Sequence, residues 1–170
     1  RSVAHSFDGG ITKWRWLWGA VEGTSNRVDL SAANQRRRSV LHRRLDVDYN
    51  GWWMELIPVS VIREIGLSLP IFIKWDDLEY GLRAQTIGVD TVTLPGAGLW
   101  HISWGDKDDS RDWQAYFHER NRILTALLHS PYERGGRLPY ELSTLDVKHA
   151  VSAEYYAQTI RLMAVEDILA

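Results

Sequence analysis

The chain has 170 residues, 45% of them hydrophobic and 25% charged, with a formal net charge of −2. That is the composition of an ordinary globular protein able to bury a core, and the charge gives no argument for nucleic acid as a partner. The absence of cysteine excludes disulfides and thiolate metal sites, and no apolar run approaches the roughly 20 residues that cross a bilayer. Arg1 opens the sequence without Met or a signal-peptide pattern, so the chain reads as a piece excised from a longer protein. Tryptophan is the outlier: there are nine. Indoles stack on apolar sugar and base faces and carry one N–H donor.

Residues 1–10 read as loop. The alternation in 11–19 predicts a strand with Trp14, Trp16 and Trp18 on one face, where a core is the simpler use for them. A polar connection over 22–34 follows. Residues 39–49 alternate again (Val40, His42, Arg44 against Leu41, Arg43, Leu45, Val47) and predict a second strand. Arg36, Arg37, Arg38, Arg43 and Arg44 make a basic cluster, ordinarily a solvated face and more sharply a phosphate or anionic-lipid contact. In the apolar stretch 52–57, Trp52 and Trp53 are adjacent. Extended neighbours point to opposite faces, so at most one enters a given core and the other is free as a ligand platform.

Pro58 opens a short helix through Ile65, closed by Gly66. Residues 71–75 read as a strand running straight into a helix over 77–87, closed by Gly88, with Asp76 and Asp77 at the switch. Ligands in α/β proteins sit at the carboxyl ends of strands. Asp76 serves as an N-cap and Glu79 completes a capping box, which leaves Asp77 over. Two further strands, 91–94 and 99–104, flank the turn at 95–98. The spacing predicts an amphipathic helix over 110–129, its apolar face formed by Trp113, Tyr116, Phe117, Arg120, Leu124, Leu127 and Leu128. A linker over 130–139 precedes one long helix over 143–169, with Ser143 as N-cap and Asp146 at the capping-box position. Strands alternating with helices, and helices gathered at the end, argue for an α/β class.

Two of the six histidines stand out. His101 sits in the apolar run GLWHISW, where a ring is either bonded to a backbone carbonyl or bound to a metal. His118 lies one helical step off the apolar face, bordering the core. With Asp76 and Asp77 they supply a ligand, a base and a donor for transfer to an oxygen nucleophile.

The runs HRRLDVDYNGWW (42–53), IFIKWDDLEYGLRA (71–84), TVTLPGAGLWHISWGDKDD (91–109) and DWQAYFHERNR (112–122) resemble the polymerising galactofuranosyltransferases of actinobacterial cell-wall galactan. Those enzymes are inverting, family 2 glycosyltransferases of the GT-A fold. The resemblance covers about residues 40–130 in continuous order and is looser over 1–39 and 131–170. It implies an α/β chain comprising the C-terminal half of a GT-A domain, a mixed sheet with flanking helices, over 1–130. A linker and the start of a helical C-terminal region follow over 131–170. It implies transfer of galactofuranose from UDP-galactofuranose to a lipid-linked galactan acceptor, at the inner face of the cell membrane. Oligomerisation stays open.

Carried over residue by residue, the resemblance makes Asp77 the general base and Asp76 a sugar-contacting acid. It makes His101 a ligand of a divalent metal (Mn²⁺ or Mg²⁺) and His118 a donor contact, with Lys74, Trp52 and Trp53 lining the sugar pocket. The Asp-x-Asp metal element of such enzymes is implied upstream of Arg1. Asp46 and Asp48 then read as structural, and the piece alone as inactive. Two other readings stay open: a metal-dependent hydrolase using Asp46, Asp48, Asp77 and His101, and a carbohydrate-binding module built on the tryptophans.

Overall fold

The computed structural model describes residues 31–95, 108–131, 133 and 136–170, and the backbone of strands β1 (His5–Asp8) and β2 (Leu17–Ala20), which pair with each other. The other elements are α1 (Ala33–Arg36), a 3₁₀ turn (Ser39–His42), β3 (Leu45–Val47), α2 (Val59–Ile65), α3 (Asp76–Thr86), β4 (Thr91–Thr93), α4 (Gln114–His129), α5 (Leu138–Val151) and α6 (Tyr155–Leu169). The protein is mixed α/β, and its strands form two-stranded sheets among the described residues. No helix among them is long and apolar enough to cross a membrane. The strand expected over 99–104, with His101, lies outside the described residues, as do Trp14 and Trp16.

The described chain forms two compact units, one drawn from 31–69 and 77–95, the other from 70–76 and 108–170. In the first, β3 and β4 pair antiparallel with Asp46 opposite Val92. Leu45 and Val47 point inward and Asp46 outward, as a half-buried strand requires. Only three residues of the expected 39–49 strand, Leu45–Val47, form a strand. β4 offers a ladder no longer than that, and Arg43 and Arg44, which follow the 3₁₀ turn, stay exposed.

The helix predicted from Pro58 is present, and Gly66 closes it at φ +80°. Its last carbonyls are taken by α3. Tyr80 Oη donates to Gly66 O at 3.0 Å, and Arg83 donates to Ile65 O at 2.7 Å and Leu67 O at 3.1 Å. Val61, Tyr80 and Ala84 form the small core between α2 and α3, with Trp52, Ile57 and Val89 against it. Gly81 allows α3 its close approach to the chain after β3, because a Cβ there would stand 2.8 Å from Tyr49 Cβ.

In the second unit α4 packs with α6, and α5 with α6. The inward face of α4 differs from the one the periodicity predicted. It carries Ala115, Glu119, Asn121, Arg122, Thr125 and Ala126, while Trp113, Leu127 and Leu128 are exposed. The buried polar groups have partners, which makes their burial affordable. Glu119 meets Arg161 at 2.7 Å, Thr125 Oγ1 donates to Asn121 O at 2.7 Å, and Asn121 reaches the backbone of 72–74. The expected single helix over 143–169 is two helices, broken at Ser152–Glu154 with Ala153 at φ +57°. Ser143 lies inside α5, donating to Pro139 O at 2.8 Å, and Asp146 pairs with Arg161, so neither marks a helix start.

Candidate functional site

In the second unit, residues 71–75 are not the expected strand. The Lys74 backbone N–H donates to Phe72 O at 2.8 Å, closing a γ-turn around Ile73 at φ +63°, and Trp75 follows at φ +70°. A turn of this sense is rare, and a β-branched residue at its centre is an outlier. Such backbone wells cost on the order of 1–3 kcal/mol each and persist only where surroundings impose them. The turn leaves Phe72 and Ile73 exposed and buries Ile71, Lys74 and Trp75. The Lys74 ammonium pairs with the Asp109 carboxylate, both about nine-tenths buried. The other Asp109 oxygen accepts from Gln114 Nε2 at 3.2 Å, and Gln114 also reaches Asp112.

His118 stands beside this pair. Burial, and next the Lys74 charge, push its imidazole down to about 4 against the opposing pull of Asp109 and Asp112. It is therefore neutral at pH 7, offering one donor and one acceptor nitrogen rather than a charge. Asp76, half-buried, is the first residue of α3, at the positive end of its dipole. The structure thus brings Lys74 and His118 together around a residue the sequence reading missed, Asp109.

In the first unit, Asp77 is half-buried and its Oδ1 accepts the Leu78 backbone N–H at 2.7 Å. Two titratable neighbours feel its charge. Burial, then Asp77 and Asp48, push the Tyr49 phenol well above its ordinary value. Burial raises Glu55 to about 7, with Asp77 adding to the shift and the Trp52 N–H opposing it. That indole nitrogen is buried with no acceptor in good geometry, so its effect on Glu55 is that of a nearby dipole, not a formed hydrogen bond. Trp52 packs edge-on against Tyr80, centroids 5.5 Å apart. Trp53 lies over Gly51, where a Cβ would be 3.0 Å from the ring. The pair sits in a turn, not a strand, so the opposite-face argument does not apply to it.

Asp46 is exposed and bound to Arg44 at 2.6 Å, and the same guanidinium reaches Asp90 at 3.7 Å. Among the described residues no three His, Asp or Glu side chains converge to hold a metal ion. Glu55 and Asn121 also escaped the sequence reading. A helix-interior Asn, poor in helix propensity, was the available signal for the latter.

Within the second unit, Asp76 opens α3 two residues after the buried Lys74, which stands beside a neutral imidazole. No family model matches the chain. It is 52% identical over 165 residues to the galactofuranosyltransferase GlfT2 of Mycolicibacterium smegmatis, covering 94% of this chain and 25% of that protein. It is 50% identical over 139 residues to the galactofuranosyltransferase GlfT2 of Mycobacterium tuberculosis, covering 81% of this chain and 22% of that protein. The chain spans about a quarter of the length of these relatives. The resemblance read from the motifs is borne out, and it extends well beyond residues 40–130.

Proposed function

We propose that the chain is part of an inverting transferase that moves galactofuranose from UDP-galactofuranose to a lipid-linked galactan, working on a GT-A fold at the inner membrane face. The observation that carries the reading is the 52% identity to a galactofuranosyltransferase across 94% of the chain. In this reading Asp77 is the general base. The acceptor hydroxyl oxygen attacks the anomeric carbon from the face opposite UDP, and its proton passes to the Asp77 carboxylate. The bond from that carbon to the diphosphate oxygen breaks, and UDP leaves with the electron pair. Lys74, Asp76 and neutral His118 supply donors and acceptors to sugar hydroxyls, and Trp53 supplies a stacking face. His101 is proposed as a ligand of a divalent ion, Mn²⁺ or Mg²⁺, which would supply charge stabilisation to the leaving diphosphate.

The test is Asp77→Asn in the intact protein. Transfer should fall by about 10²–10⁴, the usual cost of losing a general base, while UDP-galactofuranose affinity stays within a few-fold. Near-normal turnover would remove Asp77 from that role.

A further inference from the structure

We propose that Asn121 is a positioning residue of this transferase, whose carboxamide holds the strained 72–76 turn in the shape that buries Lys74 and starts α3 at Asp76. The proposal rests on the transferase reading only for its activity readout.

The turn cannot hold itself. Ile73 and Trp75 both sit at positive φ, where neither side chain is at ease. Asn121 projects from α4 fully buried, and its Nδ2 donates to Lys74 O at 2.8 Å and to Phe72 O at 3.2 Å. These are the two carbonyls that flank Ile73, and Phe72 O is also the acceptor that closes the γ-turn. Both contacts are carbonyls, so the amide nitrogen must face them. Its Oδ1 accepts from Arg120 Nη1 at 3.2 Å, and its own carbonyl accepts from Thr125 Oγ1 at 2.7 Å, which fixes the clamp from behind. Asn is a poor choice for a helix interior on propensity. Two carbonyls of a strained turn, both accepting from its amide, give it a reason to be there. The consequence is functional: Lys74 is aimed inward at Asp109 because the residues on either side of it are bent the way they are.

A clamp that opposes strain has a signature that mere packing lacks. Glycine takes φ +63° without steric strain, so Ile73→Gly relieves the strain at the residue between the two clamped carbonyls, while Trp75 keeps its own. The experiment compares Asn121→Ala, Ile73→Gly and the double variant in the intact protein. It measures hydrogen exchange at the Lys74 amide, and kcat and KM for the galactan acceptor. Asn121→Ala should speed exchange and lower kcat/KM by roughly tenfold or more, since displaced contact groups act strongly on rate. Ile73→Gly should stay near the parent, and in the double variant both quantities should recover most of the loss. Unchanged exchange in Asn121→Ala, or no recovery in the double variant, overturns the proposal. If Asn121→Ala fails to fold, a folded double variant with a protected Lys74 amide supports the clamp, and failure of both overturns it. If the exchange results hold while the parent protein transfers no galactofuranose, the clamp stands and the transferase reading falls.

Discussion

His118 and Glu55 carry opposite pH dependences. The folded His118 holds off its proton until about pH 4, against 6.5 in the unfolded chain, so between these values the unfolded state binds more protons. Above pH 6.5 the ring is neutral in both states and costs nothing, and stability is lost as pH falls through the window, by about 3 kcal/mol at the limit. Glu55 behaves the other way. The fold keeps its proton up to about pH 7, against 4.5 unfolded, so stability is lost as pH rises from 4.5 to 7. The two partly cancel in the parent protein. His118→Gln should flatten the fall in melting temperature toward pH 4, whereas Glu55→Gln should melt higher than the parent at pH 7.5. Profiles indistinguishable from the parent's would mean that neither group is as buried as the structure has it. His118's place at the edge of a core could be read from helical phase. Glu55's could not, because the Trp52 and Asp77 beside it are brought there by folding.

Helix ends show where a sequence speaks and where it is silent. At the end of α3, Val89 N–H donates to Ala84 O at 3.1 Å and Gly88 N–H to Gln85 O at 3.0 Å, with Gly88 at φ +75°. The end of α5 repeats the pattern: Glu154 N–H to His149 O at 2.9 Å and Ala153 N–H to Ala150 O at 3.2 Å, with Ala153 at φ +57°. Both are the paired-bond C-cap that favours glycine in the left-handed position. Gly88 announced the first stop, whereas alanine, the strongest helix former, hid the second and made 143–169 read as one helix. Ala153→Gly should therefore stabilise the protein, by about 1 kcal/mol, because an L side chain in that conformation costs about that much. A rise of roughly 2–4 °C in melting temperature is expected for a chain of this size. A fall would mean that the break between α5 and α6 does not depend on this conformation. The strand misread at 71–75 has the same origin. Ile71, Phe72 and Ile73 carry strong β propensity, and an amide 48 residues beyond Ile73 overrules it.

At the scale of the whole molecule, the mixed α/β character followed from the alternation of apolar runs, but the division into units did not. One boundary falls between Asp76 and Asp77, inside α3, where no glycine or proline marks a linker. The second unit is organised instead by a buried charge. Arg161 on α6 binds Glu119 on α4 at 2.7 Å and Asp146 on α5 at 2.9 Å, and its Nη2 donates to Leu142 O at 3.3 Å. Glu119 is 2% exposed, and burial raises its pKa while Arg161 holds it down. Removing the cation leaves a buried carboxylate unpaired, and such losses cost about 3–5 kcal/mol. Arg161→Ala should thus destabilise strongly, and the cost should depend on pH. Without Arg161 the folded-state pKa of Glu119 rises further, so stability falls as pH rises through it, and the variant should be closer to the parent at pH 5 than at pH 8. Glu119→Gln in the same background should abolish that difference, because a neutral amide has no charge to bury. Melting curves of the parent, the single variant and the double variant at both pH values make the comparison. Equal losses at pH 5 and pH 8 in Arg161→Ala would show that Arg161 holds the three helices by packing of its aliphatic stem and not by neutralising Glu119.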